Sequence, residues 1–191
     1  MQWIVPGTVL TATDQETQYI EERFRAMFLG GGIALSQVAA VTGLEPYTIQ
    51  NWVKRGFLTK PEGKRYTLRQ LCRILNINML KAALPLEEIC GLLQYINGDL
   101  SDESDDLIDD TTLYFLFVQL AAKHRHMNNP AGRDEILAGA LASYVEPIPG
   151  AKARVEKVLK VMLTAWAASL LRQAAEKMVE GLKEEQSKGE M

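Results

Sequence analysis

LSQVAAVTGLEPYTIQNWVKRGFLTKPEGKRYTLRQL, residues 35–71, carries two short helical patterns separated by Gly43-Leu44-Glu45-Pro46 and followed by a basic loop. Ser36 can cap a first helix, Val38, Ala39 and Val41 give it small apolar packing groups, and Gly43 can take the left-handed conformation that ends it. Pro46 suits the first turn of a second helix, where its missing N–H costs nothing, and Gly56 ends that helix. At 100° per residue, Tyr47, Gln50, Asn51 and Lys54 fall on one stripe, while Ile49, Trp52 and Val53 fall on the other side. The following Lys60-Pro61-Glu62-Gly63-Lys64-Arg65-Tyr66 is a turn flanked by cations. Two short helices and a basic wing in this order form a helix-turn-helix, an arrangement that places its second helix against DNA.

The exposed stripe carries suitable chemistry. Gln50 and Asn51 can each offer a donor and an acceptor to an adenine edge, Lys54 can reach a guanine or a phosphate, and Tyr47 can bond to backbone oxygen, with Thr48 and Arg55 beside them. On the wing, Lys64, Arg65 and Tyr66 are placed to meet the phosphate backbone. The plain alternative is a solvated helix face beside a loop whose cations only solubilise it.

Downstream, Thr67 and Gln70 form a possible capping box for a third helix with Leu68, Leu71, Cys72, Leu75 and Met79 as its apolar stripe, Arg69 and Arg73 lying off it. A fourth helix begins near Pro85, with Glu87 and Glu88 in its first turn and Ile89, Leu92, Leu93 and Ile96 on its buried side. Upstream, Asp14 to Leu29 reads as a supporting helix stopped by Gly30-Gly31-Gly32. Beyond Asn97-Gly98 come the acidic LSDESDDLIDD, read as a linker or solvated loop, and three helical patterns over Asp110 to His126, Arg133 to Tyr144 and Ala151 to about Lys183. No strand is expected outside the wing. The division is 1–33 supporting helix, 34–98 winged module, 99–110 acidic linker or loop and 111–191 helical dimerisation or regulatory region, a mainly α chain with a small β-wing.

With 191 residues, 47% of them hydrophobic, the chain can bury a real core. The net charge of −3 argues against nucleic acid, yet from Gly43 to Lys81 eight basic residues (Lys54, Arg55, Lys60, Lys64, Arg65, Arg69, Arg73, Lys81) face only Glu45 and Glu62. A localised basic surface is sufficient for phosphate, because screening confines the attraction to about 10 Å. No apolar run approaches the roughly 20 residues of a membrane span, and Met1 to Leu10 lacks the charged and apolar regions of a signal peptide, so a cytoplasmic protein without a membrane partner is expected. Cys72 and Cys90 are too few for a disulfide framework or a structural zinc site and read as buried thiols.

Catalytic patterns are not evident. Gly30-Gly31-Gly32 lacks the following lysine of a phosphate loop, the acids from Asp99 to Asp110 lack the register of a calcium loop, and His124 and His126 lie about 200° apart on a helix. No catalytic residue, metal site or cofactor is expected. In the tail, Val155, Val158, Leu159, Met162, Leu163, Trp166, Leu170, Ala174, Met178 and Leu182 make a wide apolar stripe. Its cover comes from the neighbouring helices, or from the same helix of a second subunit. Tyr114, Phe117, Met162 and Trp166 could line a pocket for a small-molecule effector of unknown identity, or be core.

The order of elements resembles the MerR family of bacterial transcription regulators. The resemblance runs over LSQVAAVTG, TIQNWVKRGFL, the wing ending in KRYTLRQL, and RILNINMLKAALPLEEICGLL with its leucine, two acids, isoleucine and leucine pair, from about Leu35 to Leu93. It implies a winged-helix domain working as a homodimer on a partly palindromic operator in double-stranded DNA. The recognition helix would be 46–55, with Gln50, Asn51 and Lys54 on it, and Lys64, Arg65 and Tyr66 would lie in the wing, 60–66. After Thr48-Ile49, where the family usually carries an arginine and two aromatics, this chain has Gln50-Asn51-Trp52. The whole chain resembles an uncharacterised group of bacterial proteins, typically from Gram-positive species, in which a MerR-like head is joined to a helical tail. The expectation is a sequence-specific, dimeric DNA-binding transcription regulator, not an enzyme. The alternative is a protein-interaction module that keeps the winged fold without reading DNA.

Overall fold

The structure is a computed structural model that describes residues 2–125 and 132–189. Among the described residues it is mainly helical, with eight α-helices and two small two-stranded sheets. The expectation of no strand outside the wing is corrected at residues 33–34 and at the start of the chain. There β1 (Gln2–Ile4) pairs antiparallel with β2 (Thr11–Thr13). Only Trp3 and Ala12 point inward, and a single buried residue per strand is too little alternation to be legible. The loop between them passes so close to the core that a Cβ on Gly7, whose φ is +74°, would lie 2.4 Å from the Leu75 carbonyl oxygen.

The supporting helix is also shorter than expected. Glu16 accepts from the Thr13 N–H (2.7 Å) and hydroxyl (2.9 Å), holding a turn in place of the first part of that helix, and α1 runs only over Ile20–Met27, burying Ile20 and Phe24.

β3 (Ile33–Ala34) leads directly into α2 (Leu35–Thr42) and pairs with β4 (Arg65–Tyr66). Ser36 does not cap α2. The N-cap is Ala34, and Gln37 supplies the reciprocal contact by accepting from the Ala34 N–H at 2.9 Å. Gly43 ends the helix at φ +69° as expected, and α3 (Pro46–Lys54) starts on its proline. The segment expected to be a wing is smaller than a hairpin of its own. Glu62 bridges Arg65 across Gly63 (φ +52°) and Lys64 (φ +62°), a turn with positive φ at both central residues, and the strand that follows finds its partner in β3.

α4 (Leu68–Leu80) opens with the expected capping box, Gln70 N–H to the Thr67 hydroxyl at 3.2 Å and Thr67 N–H to Gln70 Oε1 at 2.9 Å. It is not a one-sided helix. Leu71, Cys72, Arg73, Ile74, Leu75, Asn76 and Ile77 are all buried, because α2, α5 (Leu86–Asn97), α6 (Asp110–His124) and α8 (Ala151–Gly189) surround it. Arg73, expected off the buried stripe, is therefore 5% exposed.

The acidic segment is fastened to this helix. Glu103 and Asp106 each meet Arg69 at 2.7 Å, Leu107 and Ile108 are buried, and Asp109 caps α6 by accepting from Thr111 N–H and Thr112 N–H. The expected end of that helix, His126, lies outside the described residues.

α7 (Gly132–Ala140) stops short of Tyr144, whose hydroxyl donates to the Leu107 carbonyl. Tyr114, Phe117, Met162 and Trp166 are core, with Phe117 and Trp166 edge to face at 6.0 Å. One continuous apolar core runs from Trp3 to Trp166. Among the described residues no helix is long and apolar enough to cross a membrane, and no group of His, Cys, Asp or Glu could hold a metal ion.

Candidate nucleic-acid interface

α3 is oriented by its two buried anchors, Ile49 at 0% and Trp52 at 4% exposure. Fixing these inward turns Tyr47, Gln50, Asn51 and Lys54 outward, as the helical period requires, with Thr48 half-buried at the edge. The short β3–β4 ladder then sets the turn of residues 60–66 beside this face.

Between them lies an open groove of about 620 Å³ lined by Leu35, Gln50, Val53, Lys54, Lys60, Pro61, Lys64 and Tyr66. Three lysines thus come from two elements onto one concave surface, and no carboxylate lines it. None of the three takes part in an ion pair with another described residue. Uncompensated cations gathered in a cleft concentrate positive potential there, which is the electrostatic requirement for a phosphate backbone.

The remaining candidates separate by geometry. Tyr47, 71% exposed, and Asn51 stand on the outer face of α3 but outside the groove. Arg55 turns toward α5, where it pairs with Glu87 while its guanidinium lies 4.6 Å over the Phe57 ring. The Glu87 backbone and that contact hold the Glu87 carboxyl below its usual range. Arg65 donates through Nη1 to the Gly32 carbonyl at 2.7 Å and ties the turn to β3. Tyr66 is 3% exposed, and burial pushes its hydroxyl pKa up, so its ring supports the groove from below. Lys60 is the groove residue that the sequence does not single out, although it sits in the same basic turn. Its charge is visible along the chain, but only the tertiary arrangement distinguishes it from Arg65.

The basic surplus read along the chain is also redistributed. Arg69 and Arg73 are taken up by Glu103, Asp106 and Asp110, the last at 3.5 Å from Arg73. The acidic segment thereby cancels the cations of α4 and leaves those of the groove. Burial raises the Asp106 carboxyl to about 6, against the pull of Arg69, and raises Asp110 as well.

Residues 8–117 match the family described as Domain of unknown function (DUF1836), more than half of the chain, and the chain belongs to that family. The matched segment contains every residue of the groove and the whole acidic segment. The chain is 29% identical over 109 residues to Uncharacterized protein YkrK of Bacillus subtilis (strain 168), covering 55% of this chain and 47% of that protein. It therefore spans about half the length of the curated relative it matches. No solved structure matches.

Proposed function

We propose that this DUF1836 protein is a sequence-specific DNA-binding transcription regulator with a MerR-like winged helix-turn-helix head, acting as a homodimer on double-stranded DNA. α3 enters the major groove, with Gln50 and Asn51 toward base edges, and the turn of residues 60–66 rides on the backbone. The observation that carries this reading is the carboxylate-free groove in which Lys54, Lys60 and Lys64 stand without ion partners among the described residues, beside an exposed Gln/Asn face. Arg55, Arg65 and Tyr66, engaged within the fold, serve as supports, so the contact set is Tyr47, Thr48 at its edge, Gln50, Asn51, Lys54, Lys60 and Lys64.

The homodimer rests on α8. Val161, Thr164, Ala168, Leu171, Ala175, Met178 and Leu182 are all exposed and follow one another at alternating steps of three and four residues. That spacing keeps one seam toward a partner helix in a left-handed coiled coil. A two-fold pair of heads then reads two half-sites.

Selection from a random pool of duplexes tests the reading. A regulator enriches a bipartite, partly palindromic sequence, and Asn51→Ala shifts that sequence. Recovery of an unenriched pool would leave the alternative, a protein-interaction module that keeps the fold without reading DNA.

A further inference from the structure

A second pocket lies on the other side of the residue 58–62 segment, between it, the first turns of α4 and the acidic segment. Its volume is about 300 Å³, the size range of a small metabolite rather than of a polymer. The charged residues that line it are balanced: Lys60, Arg69 and Arg73 against Glu62, Glu103 and Asp110.

These charges are not all satisfied by one another. Arg69 is closed off by Glu103 and Asp106. Arg73, with a side chain only 6% exposed, is held by a single long contact from Nη1 to Asp110 at 3.5 Å. Its Nε is sealed from solvent with no partner, and Nη2 makes no bond to any described residue. A buried guanidinium with open donors is costly until an acceptor arrives. At the mouth, Lys60 and Glu62, both exposed at the surface, take part in no ion pair with a described residue.

This lining selects a charge type. A bare anion drawn to Arg73 would meet three carboxylates, and a bare cation would meet three cations, each carrying a like-charge penalty. A ligand with both charges a few ångströms apart avoids either penalty. We propose that the pocket binds a free α-amino acid, its carboxylate on Arg73 and Lys60 and its ammonium on Glu62 and Glu103, with Leu58 and Leu100 against its side chain.

Lys60 also lines the groove, and Gln70 fixes the residue before it through bonds from Nε2 to the Thr59 carbonyl (3.1 Å) and hydroxyl (2.9 Å). An occupied pocket therefore takes one of the groove's three lysines. This coupling rests on the nucleic-acid reading; the binding itself does not.

The experiment is thermal unfolding of the full chain, without DNA and at constant ionic strength, in the presence of each of the common L-amino acids at millimolar concentration. The best responder is then compared with its deaminated acid and its decarboxylated amine. At least one amino acid should raise the Tm by a few degrees, as expected for a ligand well above its Kd, and neither single-charge analogue should reproduce the shift. Lys60→Gln and Glu62→Gln alter surface side chains that no described ion pair uses, and each should weaken the binding by about fivefold or more. The proposal is overturned if no amino acid moves the Tm, if either analogue matches the amino acid, or if both variants bind as tightly as the natural chain.

Discussion

Lys64 is the one non-glycine among the described residues with positive φ, at +62°. A lysine held there carries a backbone cost of about 1 kcal/mol, which asparagine or glycine would reduce. Its side chain, in turn, lines the groove. Lys64→Asn should therefore raise the midpoint of thermal unfolding while weakening DNA binding across all sequences. The slope of log K against log salt should become shallower by about 0.9 for each phosphate that is no longer neutralised. An unchanged slope would mean that this lysine meets no phosphate. Asn51→Ala tests the opposite property, altering the preferred sequence with little effect on the salt slope. Arg65→Ala belongs to a third class: it removes the bond to the Gly32 carbonyl, so it should cost on the order of 1 kcal/mol of stability, measured by urea unfolding, before any effect on binding is considered.

At the scale of elements, the fold turns on how α4 is joined to the acidic segment. Arg73 and Asp110, with side chains 6% and 1% exposed, form a buried pair, and removing one partner leaves the other uncompensated. Asp110→Ala should cost about 3–5 kcal/mol in urea unfolding, while Arg73→Met together with Asp110→Leu should recover much of that loss. Burial also sets the pH response. Asp106 is raised to about 6 and Asp110 is raised, so in the acid range these two carboxyls bind more protons in the folded chain than in the unfolded one. Their contribution is then fully present below about pH 4 and declines as pH rises through about 6, by an amount on the order of 1 kcal/mol. Asp106→Asn should flatten the stability profile between about pH 4 and 7; a profile as steep as that of the natural chain would contradict the assignment. These joints explain which parts of the fold are legible in the sequence. The Thr67/Gln70 box, Gly43 and Pro46 are local signals and place α2, α3 and α4 closely. Arg73 facing Asp110 is a contact between residues 37 apart in sequence, which no helical period reveals. Likewise, β1 and β2 have three residues each, too few for alternation to register.

At the scale of the whole molecule, α8 divides into a packed half and an uncovered half. Side chains from Ala151 to Ser169 include all of its described buried positions, whereas from Leu170 onward every side chain described is exposed. From Leu170 to Glu185, the last side chain described, the helix spans about 24 Å at 1.5 Å per residue, and Leu171, Met178 and Leu182 are 74%, 71% and 61% exposed on it. The tail's apolar stripe is legible in the sequence, but which part of it the rest of the chain covers is not. Leu171→Glu with Met178→Glu should turn the proposed dimer into a monomer by light scattering while leaving the thermal unfolding of the head within a few degrees, since neither side chain touches the core. A head that reads DNA in pairs should then bind its selected duplex far more weakly. The most direct test of DNA binding through the lysine groove is the salt dependence of binding to that duplex for the natural chain and for Lys54→Gln, Lys60→Gln and Lys64→Gln combined. Affinity should fall steeply with salt for the natural chain, with a slope shallower by about 2.7 for each protomer in the variant if each lysine meets one phosphate. Equal slopes for the two proteins would contradict it.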